Sequence, residues 1–444
     1  MQNENKNCQN CKKDFIIEPD DFSFYQKMKV PPPTWCPECR LIRRLSFRNE
    51  RNFYKNKCRL CDKDVISIFA PENNFVVYCL PCWWSDKWDP LSYGQEYDFS
   101  KPFFEQFMEL MKKVPWRALI SDVTNINSDY VNMASHSKNC YLTSHADHNE
   151  DSAYASGLKL SKDCYDSTMV QQSELSYECL NITKGFKNVF CVDLENSHDI
   201  YFSRNLVGCS NCVGSVNLRN KAYYIFNEPY TKEEYLKKFG ELNLGSYECL
   251  MRVKEQAEKL WEKFPQKYYH GAYNTDISGD YIHHSKDTHA SYEMIGVEHA
   301  KFSQFLSTKP TEDCYDYTEW GDGASLIYEA LVSGIEISKL KFVWGVTSSR
   351  ESEYSMHLKG SKNVFGCVNL RNKEYCILNK QYTKETYEEL LPRIKKHMDE
   401  MPYRDAKGRI YKYGEFFPSE LSHFAYNETA QEFFPLAKED AFEK

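Results

Sequence analysis

A short signature, approximately Ser-x-Asn/Asp-apolar-Tyr, recurs from residue 128 onward. Self-similarity at a fixed period restricts a chain to stacked architectures. The anchors of the signature fall at Tyr130, Tyr141, Tyr154, Tyr165, Tyr177, Phe190, Tyr201, Val213 and Tyr223. A second series runs Tyr281, Tyr292, Phe302, Tyr315, Tyr328, Phe342, Tyr354, Phe365 and Tyr375. The two series end almost identically, VNLRNKAYYIFNEPYTKEEY at 216–235 and VNLRNKEYCILNKQYTKETY at 368–387, a shift of 152 residues (368 minus 216). They also begin alike, with Val114-Pro115 and Phe264-Pro265 closing similar helical segments. The chain is internally duplicated.

Repeats rich in Tyr, Val, Cys and Ser, punctuated by Asn, Asp and Gly, read as short strands joined by turns. A right-handed parallel β-solenoid is the expected fold, with an antiparallel meander as the alternative. One 12-residue coil encloses too little space for inward tyrosines. Two repeats per coil, roughly 24 residues, are therefore expected, with aromatics and cysteines layered inside. Thr231, with Glu234 three residues on, marks a capped helix, and Thr383 is its equivalent. Helices are expected near 231–239, 250–263 and 384–399, covering solenoid ends and edges.

The 18 cysteines divide unequally. Eight form four C-x2-C pairs, Cys8/Cys11, Cys36/Cys39, Cys58/Cys61 and Cys79/Cys82. A C-x2-C turn offers two thiolates to one ion, and two such knuckles complete a tetrahedral shell. Two Zn2+ per chain are expected. Sequential pairing makes two independent fingers; an interleaved pairing is the alternative. Each half repeats one plan: knuckle, β-type segment (13–17 and 65–69), second knuckle, and a helix starting near Pro37 or Pro81. The helix dipole then favours the thiolates. Cys140, Cys164, Cys191, Cys314, Cys367 and Cys376 lie beside the repeat anchors and read as small buried hydrophobes, as does the pair Cys209/Cys212.

The stretch CQNCKKDFIIEPDDFSFYQKMKVPPPTWCPECR, residues 8–40, resembles the zinc-ribbon (treble-clef-like) family in its C-x2-C-x3-F start, central F-Y and closing C-x2-C-R. The whole chain is more loosely similar to uncharacterised multi-domain zinc-ribbon proteins of uncultivated bacteria. The resemblance implies zinc binding and brings no reaction with it.

Residues 1–60 carry 13 basic and 7 acidic side chains, +6, which leaves −14 of the total −8 for the remainder. Arg40, Arg43, Arg44, Arg48, Arg51 and Lys55 concentrate this charge, and Arg40, Arg44, Arg48 and Arg51 are spaced to share one helical face. Phe47, Phe53 and Tyr54 interleave with them. Cations with aromatics can contact phosphate and stack on bases, so RNA or DNA is a candidate partner. Charge compensation near the thiolate centres is the competing reading.

Parallel solenoids can line up carboxylates for glycan chemistry, and Asp163, Asp166, Asp313, Asp316, Glu319 and Asp322, beside Trp320, are the candidates. The motif D-C-Y-D, however, occurs at the same repeat position in both copies, as a structural turn would. No catalytic residue is assigned. No apolar run suits a membrane span or a secretory leader, so a cytoplasmic chain is expected.

The expected protein is multi-domain and mainly β: two treble-clef-like zinc fingers followed by a duplicated parallel β-solenoid with flanking helices. The boundaries are 1–57 (first finger with basic helix), 58–98 (second finger), 99–245 and 246–400 (a helix plus a solenoid copy each), and 401–444, a Phe-Pro-rich segment expected to pack back on the fingers. The expected function is a non-catalytic zinc-binding scaffold or adaptor that contacts RNA or DNA through 40–59. A protein-interaction scaffold without nucleic acid is the alternative, and a carbohydrate-active enzyme the second.

Overall fold

The computed structural model describes residues 2–308 and 310–443, and the side chains through 440. From Met133 to Phe226 almost every third residue has a left-handed φ, as at Asn139 (53°), Leu142 (48°), Asp151 (49°) and Tyr154 (55°). Asn and Asp tolerate this conformation best, which explains their place in the signature. Leu142 and Tyr154 adopt it at about 1 kcal/mol each, offset by packing and by the parallel strand pairing.

Each left-handed residue turns the chain. Neighbouring strands pair in parallel 12 residues apart: Lys162 with Glu174, Cys164 with Ser176, Tyr165 with Tyr177. Four three-residue sides thus make one circuit, and the wall closes as a narrow parallel barrel. The side chain that follows each left-handed residue points inward, as Cys164 does after Asp163 and Ser167 after Asp166. One inner column is aliphatic throughout: Ala146, Leu158, Val170, Ile182, Leu194 and Leu206, all buried. Two others carry serine and cysteine, one holding Ser152 and Cys164 and the other Ser167 and Cys179. Ser152 accepts the amide of Cys164 at 3.1 Å, and Ser167 that of Cys179 at 3.1 Å. These corner amides face inward, so a hydroxyl in the circuit below satisfies them.

The expected 24-residue coil with inward aromatics is therefore corrected. The circuit has 12 residues, and its tyrosines point outward: Tyr141, Tyr154, Tyr165 and Tyr177 are 40–56% exposed. Twelve residues do enclose too little room for tyrosine. The chain resolves this by placing Ser, Cys and aliphatics inside, not by widening the coil.

The second ladder, from Thr275–His283 to Glu374–Ile377, repeats the plan with three wider circuits, where Val297 pairs with Thr311 at a 14-residue shift (311 minus 297) and Thr311 with Ala324 and Ser325 with Ser338 at 13-residue shifts (324 minus 311, 338 minus 325). The copies end in equivalent structures. Asn227 accepts the amide of Val216 at 2.8 Å and donates to its carbonyl at 3.0 Å; Asn379 does the same with Val368 at 2.8 and 2.9 Å.

Around the ladders run helices α1 (Pro19–Met28), α2 (Pro37–Leu45), α3 (Leu80–Trp83), α4 (Phe103–Lys113), α5 (Lys232–Glu241), α6 (Tyr247–Trp261) and α7 (Lys384–Glu400). Thr231 caps α5 in a capping box with Glu234, as its spacing indicates. Helix α6 covers Phe202, Val213 and Ile225 of the first ladder through Val253 and Ala257. Helix α4 lies in the sequence before the first ladder, yet it covers the second. Phe103 packs on Tyr354 and Phe365 with ring centroids 5.3 and 5.1 Å apart.

Candidate metal centres and the buried ion network

Each finger begins as a β-hairpin, Glu4–Asn7 with Asp14–Ile17 and Tyr54–Lys57 with Asp64–Ser67, and the first knuckle sits in its turn. The turns are built alike. The amide of Cys8 donates to the carbonyl of Lys13 and that of Cys58 to Lys63, both at 2.9 Å, and Lys12 and Asp62 take matching left-handed φ of 63° and 58°. The second knuckle opens a helix in each case. Cys36 is the N-cap of α2 and Cys79 that of α3, each followed by a proline within the first two helical positions.

The pairing is sequential. The Sγ atoms of Cys8, Cys11, Cys36 and Cys39 lie within 4.8 Å of one another, as do those of Cys58, Cys61, Cys79 and Cys82. Cys11 and Cys36 are 3.8 Å apart, as are Cys61 and Cys79. A tetrahedron of sulfurs about 2.3 Å from a central zinc has an edge of about 3.8 Å. Each group could thus hold one metal ion. The hydrogen bond from Cys36 pulls the Cys39 thiol down to about 5, and Asn10 also donates to that sulfur at 3.4 Å. Burial opposes the Cys58 thiolate, but backbone N–H groups of Cys79, Leu60 and Cys61 bring it to about 7.

The basic helix faces inward. Arg40, Arg43, Arg44 and Arg48 are at most 3% exposed. Arg40 grips Asp316 through Nε at 2.9 Å and Nη2 at 2.8 Å. Arg43 bridges Glu329 and Glu415, both at 2.9 Å, and Arg44 bridges Asp316 and Glu329, both at 3.1 Å. Arg48 meets Glu319 at 2.5 Å and also Glu50. His145, from the first ladder, turns one ring nitrogen to Glu50 and the other to Glu319. Both nitrogens then need protons. Burial opposes the charge on His145, but Glu319 and Glu50 more than offset it and raise the ring to about 10. Four arginines and one histidinium meet five carboxylates, so the buried set is neutral.

Arg40, Arg43, Arg44 and Arg48 are enclosed with the chain's own carboxylates and offer nothing to an outside phosphate; Arg51 and Lys55 are exposed. The partners Asp316, Glu329, Glu415, Glu319 and His145 were not singled out for this role. The opposite charges of head and body were the available signal.

The carboxylates considered for glycan chemistry divide. Asp313 pairs with Lys27 at 2.6 Å, and Asp316 and Glu319 belong to the network. Asp163 and Asp166 lie on the other ladder. Cys209 and Cys212 are buried inward residues of the first barrel. The C-terminal segment packs internally, with Phe416 against Phe47 and Phe417 stacked on Phe107. The second finger docks through Arg371, whose guanidinium lies 3.9 Å from the Trp83 ring centroid and donates to the Trp83 carbonyl at 2.7 Å. A cavity of about 180 Å3 between Asn49–Asn52 and the 427–432 segment is lined by amides, carboxylates, Arg51 and Thr429. Among the described residues, no helix is long and apolar enough to cross a membrane. No family model, no curated protein and no solved structure matches this chain.

Proposed function

We propose that this chain is a non-catalytic, zinc-stabilised scaffold or adaptor of the cytoplasm, in which two treble-clef-like fingers, each with one Zn2+, are seated on a duplicated parallel β-solenoid. All-sulfur donor sets at helix N-termini suit zinc in a closed structural site. The single observation that carries the reading is the neutral, buried network of Arg40, Arg43, Arg44, Arg48 and His145 with five carboxylates. It directs the basic helix to the chain's own second ladder. A buried, charge-balanced ion network favours one mutual arrangement of the parts that share it. Such fixed geometry with broad exposed ladder faces is what a scaffold presents to protein partners.

Binding to single-stranded RNA and duplex DNA at 50 and 200 mM salt tests this. The scaffold reading expects weak binding that is unchanged when Arg51→Glu and Lys55→Glu are combined. Micromolar, salt-sensitive binding lost in that variant would replace it with the nucleic-acid reading.

A further inference from the structure

Apart from the residues inserted in its wider circuits, positions on the second ladder have counterparts on the first. On the second ladder the outer face is occupied by the first finger. Asp313 pairs with Lys27 at 2.6 Å. Tyr315 stacks on Phe24, with centroids 3.9 Å apart and planes inclined by 8°. Asp316 and Glu329 hold Arg40, Arg43 and Arg44, and Thr318 accepts from Arg44 Nε at 3.2 Å. Tyr328 lies under Tyr25, with centroids 5.5 Å apart.

The first ladder carries the same set in the same register: Asp163, Tyr165, Asp166, Thr168, Tyr177 and Glu178. The barrel geometry confirms the correspondence. Asp166 and Asp316 both have left-handed φ, 49° and 55°, as do Glu178 and Glu329, 52° and 48°. Tyr165 pairs with Tyr177 across strands, and Tyr315 pairs with Tyr328. Tyr154 stands where Phe302 lies beneath the Arg40 guanidinium. Helix α6 covers a later part of this copy, and among the described residues no finger lies on the face of Tyr154, Tyr165 and Tyr177. Tyr154, Tyr165 and Tyr177 are 56%, 40% and 41% exposed, and Asp163, Asp166 and Glu178 make no ion pair among the described residues. A row of exposed tyrosines on one protein face marks an interaction surface.

We propose that the Tyr154–Tyr165–Tyr177 face of the first ladder, with Asp163, Asp166 and Glu178, docks an arginine-bearing helix of a partner protein, in the way the second ladder docks the chain's own α1 and α2. Charge complementarity fixes the occupant's chemistry: guanidiniums at the i, i+3, i+4 spacing of Arg40, Arg43 and Arg44, with an aromatic ring to lie on Tyr165. A second copy of this chain does not meet the requirement, because its Arg40, Arg43 and Arg44 are already buried and its exposed helical arginines, such as Arg252 and Arg393, lack that spacing. The inference rests on the scaffold reading and names the partner class for it.

The test uses the full zinc-loaded chain and a labelled synthetic peptide of residues 19–48 with Cys36 and Cys39 replaced by serine. A lactam-locked helical version is run beside it, so that weak helix formation in the free peptide does not decide the result. The expected result is saturable binding to the wild type, weakened at least about tenfold in the Asp166→Lys/Glu178→Lys variant and by raised salt. Cross-links from the bound peptide are expected on residues 154–178. Absent binding of both peptides, equal affinity for the variant, or cross-links only on residues 302–329 would overturn the proposal. Self-association of the chain that disappears in the variant would also overturn it, assigning the face to a second copy. The variant's zinc content and melting temperature are expected to match the wild type. The scaffold reading stands or falls separately, on the nucleic-acid titration with Arg51 and Lys55.

Discussion

Arg40 holds Asp316 through two nitrogens, at 2.9 and 2.8 Å, with both side chains at most 1% exposed. Both nitrogens converge on Oδ2, while Oδ1 meets Arg44 Nη1 at 3.1 Å, so one buried carboxylate serves two guanidiniums. Removing one member of such a pair leaves the other buried and uncompensated. Asp316→Ala is therefore expected to destabilise the protein by about 3–5 kcal/mol. Its exposed counterpart Asp166→Ala is expected to stay within about 0.5 kcal/mol of wild type. Denaturant unfolding of the two variants checks the contrast, which the motif D-C-Y-D alone does not foretell.

Two histidines give stability opposite dependences on pH. His145 is raised to about 10, so the stability its charge provides is whole below its ordinary value of 6.5 and is lost as pH rises toward 10. His423 is buried among Phe69, Phe75 and Trp116, and that burial lowers it to about 3. Its contribution is present above 6.5 and is lost as pH falls toward 3. Melting temperature measured from pH 4 to 10 is expected to peak near neutrality. His145→Gln is expected to flatten the alkaline limb and His423→Phe the acid limb.

Metal removal is expected to separate the two halves of the structure. A strong chelator should strip two zinc ions and unfold the fingers, since structural zinc supplies much of the stability of small modules. Cys8→Ser and Cys58→Ser should each remove one ion and leave the other. Metal analysis by mass spectrometry reads the counts; two ions lost from either single variant would contradict independent centres.

Helix α4 offers a further contrast. Phe103 is buried against Tyr354, Phe365 and the backbone of Gly366. Phe103→Ala is expected to cost about 3–5 kcal/mol by opening a cavity over the second ladder. Hydrogen exchange should then accelerate in 350–378 and remain unchanged in 198–225.

The periodic elements of this fold were legible because one residue type does one job at a fixed spacing. Asn139 and Asp151 mark corners, Ser152 and Ser167 satisfy corner amides, and four C-x2-C pairs declare two four-cysteine groups that could hold metal ions. The capping pair Thr231 and Glu234 likewise announced α5. The direction in which the anchors face was not legible. An exposed Tyr165 and a covered Tyr315 sit in the same motif, and only tertiary packing tells them apart. The inward turn of Arg40, Arg43 and Arg44 was hidden for a related reason. Their partners lie more than 270 residues away in the chain, and periodicity carries no information about such contacts.

The measurement that bears most directly on the account is a double-mutant cycle between Arg40 and Asp316, with Arg40→Met, Asp316→Leu and the pair, followed by equilibrium unfolding of the zinc-loaded protein. A finger seated on the second ladder predicts a coupling energy of about 1.5–3 kcal/mol between the two sites. Additive effects, with no coupling beyond about 0.3 kcal/mol, would contradict it.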